Sequence, residues 1–327
     1  MEPLLFVIFF ISFIVTLVTL PPWIKNAYKE GLVGRDIHKT DKRKIAEGGG
    51  IAVLLGFTLG VLLYVALMTF YFGNGNIAIL VFALLSVLFI NSFVGVLDDL
   101  LGWKKGLSRK LRILIVILSA VPLMVINAGN SSMMGIELGL LYPLIVIPFG
   151  IVGATTTYNL LAGYNGLETG QGILLLAALA VVTYITGTVW LTVIALIMVA
   201  SLIAFYIFNK YPAKVFPGDN LTYAVGALIA IIAILGNVEK IAIFFFIPYI
   251  LETVLKIRGK LKKESFGKVN PDGSLEVPYG KFYGLEHIAI YLLKKIKPSR
   301  KVYEKEVTYL IHSFQIIIII LGFLLLL

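Results

Sequence analysis

The chain has 327 residues, 59% of them hydrophobic and only 14% charged, with a mean hydropathy of +0.96 and a formal net charge of +10. No ordinary soluble domain has this composition, and at about 20 apolar residues per crossing the length accommodates roughly ten membrane helices, with no room for a large soluble domain. The lack of cysteine excludes disulfides, thiolate metal sites and cysteine nucleophiles, and the three histidines (His38, His287, His312) are scattered, so any metal would be a hard cation on oxygen ligands.

In chain order, residues 3–24 form an uncharged stretch without the basic leader and small-residue cleavage site of a signal peptide, and are expected to be a retained first helix. Further spans are expected at 48–72, 77–97, 113–129, 138–158, 170–186, 189–208, 220–236, 241–257 and 307–327, with tight turns at Gly73-Asn74-Gly75-Asn76 and Thr186-Gly187-Thr188. Gly48-Gly49-Gly50 lacks the preceding strand of a dinucleotide fingerprint and is read as a close helix-packing element. The predicted fold class is therefore all-α: a polytopic membrane bundle of about ten helices, one domain over 1–327 with a cytoplasmic loop at about 256–306.

Ten spans divide the loops into two sets, and the basic residues separate sharply between them. The loops 25–47, 98–112, 159–169, 209–219 and 256–306 hold 27 of the 28 Lys and Arg residues, and only Lys240 falls in the other set. The positive-inside rule then puts these loops in the cytoplasm and both termini outside. The basic residues flank membrane spans, so the positive charge reads as orientation and no nucleic-acid partner is expected.

Three polar clusters lie at the cytoplasmic ends of spans. Asp98-Asp99 follows an apolar run and precedes Lys104, Lys105, Arg109, Lys110 and Arg112. Adjacent carboxylates facing cations at a membrane surface suit a divalent ion and a phosphorylated substrate, with a solvated anchoring loop as the alternative. The second cluster, Tyr158 to Gly172, interrupts an apolar region with Asn159, Asn165, Glu168 and several glycines. Unwound backbone and amides at that depth need protein, water or ligand partners; a tight interhelical turn is the alternative. The third, Phe216-Pro217-Gly218-Asp219, delivers a carboxylate to the start of a helix, where the alternative role is an N-terminal cap. His312 and Glu252 read as structural groups. Three such clusters on one face favour a shared magnesium and phosphate site.

These clusters, in this order, resemble the polyprenyl-phosphate N-acetylhexosamine-1-phosphate transferases, and most closely the eukaryotic and archaeal branch that makes the first lipid intermediate of N-glycosylation. The matching residues are Asp98-Asp99, the run from Asn159 through Asn165 and Glu168 to Gln171, Phe216-Pro217-Gly218-Asp219, and Asn270 to Phe282 in the last loop. The resemblance implies a Mg2+-dependent enzyme (with Mn2+ as a substitute) that transfers HexNAc 1-phosphate from a UDP-HexNAc donor to a dolichyl-type polyprenyl phosphate in the cell membrane, from the cytoplasmic side. It implies Asn159 and Asp219 as metal ligands, Asp98 and Asp99 as the acidic pair near the attacking lipid phosphate, and Asn165 and Phe216 as the uracil site. Phosphate contacts are expected from Lys110 or Arg112 and from Lys263 and Lys268. Two positions depart from the family pattern: Thr156 stands where an Asn is frequent, and a lysine-rich segment from Lys262 to Lys268 replaces an Arg/His-rich one. A homodimer is left open.

The competing reading from another class is an ion-coupled transporter, which calls for charged residues in mid-span and matching broken helices in two halves. A phospholipid-forming CDP-alcohol phosphotransferase would carry an Asp-rich two-motif helix. Neither pattern is present.

Overall fold

The computed structural model describes residues 3–41, 43–101, 106–133 and 135–327. Lys104 and Lys105, expected in the basic group after the acidic pair, lie outside the described residues. The chain is a helix bundle: α1 (Pro3–Glu30), α2 (Gly50–Ala66, continued by a π-helical turn Leu67–Tyr71), α3 (Ala78–Leu101), α4 (Arg109–Ser119), α5 (Val121–Val125), a π-helical turn Tyr142–Val146 leading into α6 (Ile147–Tyr158), α7 (Leu167–Ile185), α8 (Val189–Asn209), α9 (Asp219–Gly236), α10 (Glu239–Phe245), α11 (Ile247–Arg258), α12 (Leu285–Ile296) and α13 (Glu304–Leu326).

Among the described residues, α1, α2 with its π turn, α3, α7, α8, α9 and α13 are long and apolar enough to cross a membrane. The chain is thus a polytopic helical membrane protein. The other three expected spans fall on interrupted helices: α4 and α5 reach only 125 of the expected 113–129, the π turn and α6 begin at 142 within the expected 138–158, and α10 and α11 cover 241–257 apart from the break at Phe246. Prolines stand in the first turn after these breaks, at Pro122, Pro143, Pro148 and Pro248. A proline has no N–H for the ladder and its ring clashes with the carbonyl four residues back, so a helix restarts there more easily than it continues. The turns expected at 73–76 and 186–188 separate α2 from α3 and α7 from α8.

The bundle has a centre and a rim. Of the most apolar 18-residue windows, that of α9 is 89% buried, whereas those of α1 and α13 are 28% buried. Alanines and glycines recur along α9, at Ala224, Gly226, Ala227, Ala230 and Ala233. In lipid the bilayer offers no hydrophobic gain for helix association, so small residues that let backbones approach closely select the central helix. α9 packs against α2, α3, α6, α7 and α8.

Two features on the loop side position the polar clusters. An antiparallel hairpin, β1 (Val33–Arg35) with β2 (Lys44–Ala46), follows α1, and Ala46 bridges in parallel to Val215. Phe216 N–H donates to the Ala46 carbonyl at 2.8 Å, and Gly49 and Gly50 N–H donate to Phe216 and Pro217 carbonyls at 3.0 and 2.9 Å. The glycine triplet therefore docks backbone on backbone against the Pro217-Gly218 turn, and Asp219 is delivered from a fixed base. The last loop carries a second hairpin, β3 (Lys268–Val269) with β4 (Leu275–Glu276), ahead of α12.

Candidate active site

Asp98 and Asp99 occupy the last turn of α3, and consecutive helical residues point about 100° apart, so the two carboxylates serve different neighbours. Asp98 turns towards α4. Its Oδ1 accepts the Leu107 N–H at 2.7 Å, and it forms an ion pair with Arg112, whose Nη1 also donates to the Tyr223 hydroxyl of α9 at 3.3 Å. Asp99 turns towards α9. Its Oδ1 accepts the Asp219 N–H at 2.9 Å and its Oδ2 the Asn220 N–H at 3.4 Å.

That pair of bonds changes the expected division of labour at α9. The residue before the helix is Gly218, at φ 76, a conformation that strains any residue with a Cβ. Glycine has no acceptor to offer the free N–H groups of the first turn, and no side chain of α9 caps it. Asp219, for which a capping role was the alternative, makes no such bond. The cap comes instead from Asp99 on α3. Asp219 is left free to turn its carboxyl towards Asp98, with which it is in hydrogen-bonding reach.

One turn along α9, Thr222 Oγ1 donates to Asn159 Oδ1 at 2.9 Å. Asn159 ends α6, so this bond holds the amide over the helix face that carries Asp219. The structure thus brings together Asp98, Asp99, Asp219 and Arg112, with Asn159 joined through Thr222. Thr156, in the position where an Asn is frequent, bonds back to the Val152 carbonyl at 2.6 Å within its own helix. Behind Asp99 lies a cavity of about 40 Å³ whose lining includes Trp23, Glu47, Asp99 and Asn220. Trp23 Nε1 donates to the Glu47 carbonyl at 3.0 Å, and burial pushes the Glu47 carboxyl above its ordinary value. The Asn220 side-chain amide is buried there and has no hydrogen-bond partner among the described residues.

Among the other expected residues, Asn165 has partners of its own. Asn165 is buried, donating its N–H to Glu304 Oε1 at 2.8 Å and its Nδ2 to Asp36 Oδ2 at 3.2 Å. Lys39 pairs with both carboxylates and sits 4.1 Å from the Tyr211 ring centre, while the His38 ring lies 4.1 Å from that of Tyr164. Asp36, His38, Lys39 and Glu304 are unexpected members of this cluster. Asn165 and Phe216 both lean on the β1–β2 segment, Asn165 through Asp36 and Phe216 through Ala46. Lys110 and Lys268 are exposed, and Lys263 lies 4.8 Å from the Tyr279 ring centre. Among the described residues none of these three lysines pairs with Asp98, Asp99 or Asp219. Arg109 Nη2 donates to the Leu261 carbonyl at 3.0 Å and so ties the start of the lysine-rich loop to α4.

Glu252 and His312 have the structural partners their positions suggested. Glu252 is fully buried and accepts the Leu285 N–H at 2.6 Å, and His312 Nε2 contacts the Leu167 carbonyl at 3.2 Å.

Known proteins resemble this chain over most of its length. Residues 80–237, from α3 to the end of α9, match the sequence profile of glycosyl transferase family 4. The chain is 38% identical over 275 residues to a protein of Saccharolobus solfataricus provisionally named a UDP-N-acetylglucosamine–dolichyl-phosphate N-acetylglucosaminephosphotransferase, covering 82% of this chain and 81% of the relative. The chain belongs to this family. A similarly named protein of Sulfolobus acidocaldarius is 32% identical over 81% of each chain. A phospho-N-acetylmuramoyl-pentapeptide-transferase of Streptococcus equi subsp. zooepidemicus is 31% identical over 74% of this chain and 76% of its own. The segment matched by the family profile contains Asp98, Asp99, Arg112, Asn159, Asn165, Phe216 and Asp219, and it ends before Lys263 and Lys268.

Proposed function

We propose that this protein transfers N-acetylglucosamine 1-phosphate, or a related HexNAc 1-phosphate, from a UDP-sugar to a dolichyl-type polyprenyl phosphate, releasing UMP as the first step of a lipid-linked glycan such as that of N-glycosylation. The observation that carries this reading is the meeting of Asp98, Asp219 and Arg112 at the ends of α3, α9 and α4, within the segment shared with relatives named for that transfer. An oxygen of the lipid phosphate attacks the β-phosphorus of the donor, the bond from that phosphorus to the bridging oxygen breaks, and UMP leaves with the electron pair. The acceptor is already an anion, so it needs orientation and charge neutralisation more than activation.

The donor set suits Mg2+. Asp98 and Asp219 carry adjacent carboxyl groups that repel unless a proton or a cation lies between them, and Asn159 adds an amide oxygen nearby. Among the described residues no three acidic or histidine side chains form a complete metal cage. This is compatible with Mg2+, which binds through one or two carboxylates while keeping water and substrate phosphate oxygens. When bound, the ion would neutralise charge on the donor diphosphate. The protein's own part is to hold Asp219 rigidly through the Asp99 cap and to present the Arg112 guanidinium, fixed between Asp98 and Tyr223, to phosphate oxygens. Asn165 and Phe216, on either side of the β1–β2 segment, are the proposed uracil contacts. Lys110, Lys263 and Lys268 are the proposed outer phosphate contacts.

In the same reading the seven long helices and three proline-broken pairs make ten crossings of the cell membrane, with both termini outside and the active site cytoplasmic; the one-sided distribution of Lys and Arg supports it. The test is transfer of labelled sugar from UDP-GlcNAc to an organic-soluble product by the purified protein with polyprenyl phosphate. Wild type should form the product with matching UMP release, and Asp219→Ala should lose well over about 100-fold in rate. Folded wild type that forms no lipid-linked product would refute the assignment. Cysteines placed singly at Asn130 and Lys263 should label from opposite faces, and labelling from one face would refute the topology.

A further inference from the structure

Outside the catalytic cluster, α12 presents an outer face unlike that of a solvated helix. At 1.5 Å per residue its 12 residues span about 18 Å, too short to cross a bilayer. Its inner side is buried through Leu285, Ala289 and Ile290. Ile288, Tyr291, Leu292 and Lys295 share the opposite side, where a 100° turn per residue places them on one stripe. Tyr291 and Leu292 are 40% and 42% exposed, and Ile296 at the helix end is 73% exposed. A surface helix normally turns polar residues outwards, and this one turns outwards mainly apolar residues.

The cations around that stripe fall into two groups. Lys294, Lys297 and Lys301 are paired with Glu276, Glu306 and Asp272 at 2.7, 2.7 and 2.8 Å. Among the described residues Lys295 and Arg300 have no carboxylate partner, and with Tyr291 and Lys294 they line an open cleft. Lys295 Nζ lies 4.8 Å from the Tyr291 ring centre, so its stem runs along the apolar stripe while its ammonium stays at the edge. Only residues 297–303 separate α12 from α13, one of the helices long and apolar enough to cross the membrane.

We infer that α12 is an interfacial helix, its Tyr291, Leu292 and Ile296 edge seated in the headgroup layer of an anionic lipid leaflet, with Lys295 and Arg300 on lipid phosphates. A narrow apolar stripe edged by unpaired cations and a tyrosine, a few residues from a membrane span, is complementary to that layer. The helix is fastened to the bundle from behind: Glu252 of α11 accepts the Leu285 N–H, as an acidic cap for a helix that starts after Gly284. Seating of α12 would therefore fix the height of the 259–284 loop above the membrane, whichever reaction that loop serves.

The chain contains no cysteine, so Leu292→Cys gives a single labelling site for an environment-sensitive fluorophore. The full-length protein is reconstituted into phosphatidylcholine vesicles with and without phosphatidylglycerol, and quenching by lipids brominated on the acyl chain is compared with quenching by aqueous iodide. The expected result is stronger bromolipid quenching and weaker iodide quenching when phosphatidylglycerol is present. Lys295→Gln and Arg300→Gln should each reverse this by about fivefold in the seated-to-free ratio. A label equally open to iodide in both vesicles would overturn the inference. So would shielding that follows the number of protein copies per vesicle, which would assign the face to a second copy. Loss of the lipid dependence in millimolar inorganic phosphate would assign the two cations to a free anion, and would overturn it as well.

Discussion

Removing the Asp99 carboxylate tests whether α3 holds α9 in place. Asp99→Ala leaves the Asp219 and Asn220 N–H groups without acceptors at a half-buried helix start, where Gly218 has no side chain to replace the cap. Loss of an N-terminal cap costs about 0.5–2 kcal/mol, and loss of a negative charge at a partly buried helix N-terminus adds up to about 2 kcal/mol. The expected destabilisation is therefore about 0.5–4 kcal/mol. Asp99→Asn keeps an acceptor for the better bond but loses the charge and turns an amide donor towards one N–H, so about half of that loss is expected. Amide hydrogen exchange over residues 218–224, measured in detergent alongside the thermal midpoint, reads the effect where it arises. At 2 kcal/mol, exchange there should accelerate by roughly 30-fold if local opening governs it. Unchanged protection at these amides in Asp99→Ala would refute the cap. An Asn variant with wild-type protection but the activity of the Ala variant would show that the charge acts on the chemistry itself.

Other outcomes follow from the same geometry. A Cβ at Gly95 would overlap the backbone of Asp219 and Asn220, which cannot yield as a side chain can, so Gly95→Ala should destabilise by about 1–3 kcal/mol, whereas Gly153→Ala in α6 meets nothing within 4 Å and should be tolerated in a thermal melt. Arg112→Lys can keep the ion pair with Asp98 but not the simultaneous bond to Tyr223, and losing one charge-assisted hydrogen bond of about 1.5–3 kcal/mol should lower kcat/KM by roughly 10- to 100-fold; equal activity would remove the guanidinium from the mechanism. Burial pushes the His287 imidazole down to about 4, helped by the charge of Lys256. An unfolded histidine takes up its proton near pH 6.5 and the folded one only near 4, so the unfolded state binds more protons between these values. Stability should fall as pH drops through that window, and His287→Gln should flatten this part of the profile even though the neighbouring Glu286 titrates with its own slope.

The acidic pair, the Asn159 amide and Asp219 were legible because each is a charged or amide residue interrupting an apolar stretch at the end of a helix, whereas sequence offered Lys110 and Arg112 as equals and only the fold pairs Arg112 with Asp98. What sequence did not reveal was partnership. A carboxylate placed beside a helix start reads as that helix's own cap, and nothing in the local pattern of Phe216-Pro217-Gly218-Asp219 says that the acceptor comes from 120 residues away. The available signal was negative: a helix beginning after glycine has donors and no cap. Asp36, His38, Lys39 and Glu304 were missed for the opposite reason. Asp36, His38 and Lys39 stand in an ordinary charged loop and Glu304 at the charged start of α13, and only folding gathers them around Asn165. The interrupted helices were read as continuous spans because hydropathy records how apolar a segment is, while Pro122, Pro143, Pro148 and Pro248 determine where the backbone ladder can restart.

The bridge between Ala46 and Val215 has a bearing on how this chain could be recombined with its relatives. Backbone bonds join residues 46–50 to 215–217, and the next residues along, Asp219 and Asn220, bond to the tail of α3. Three stretches distant in sequence thus form one inheritable block. A chimera that exchanges any one of them alone must reconcile two backbones that were not shaped against each other, whereas a transplant of 44–50, 94–99 and 215–222 together carries its own fit. Crossovers placed in the connections at 73–76 or 186–188 would divide this block between parents, so a functional hybrid should be sought among those that take all three stretches from one parent.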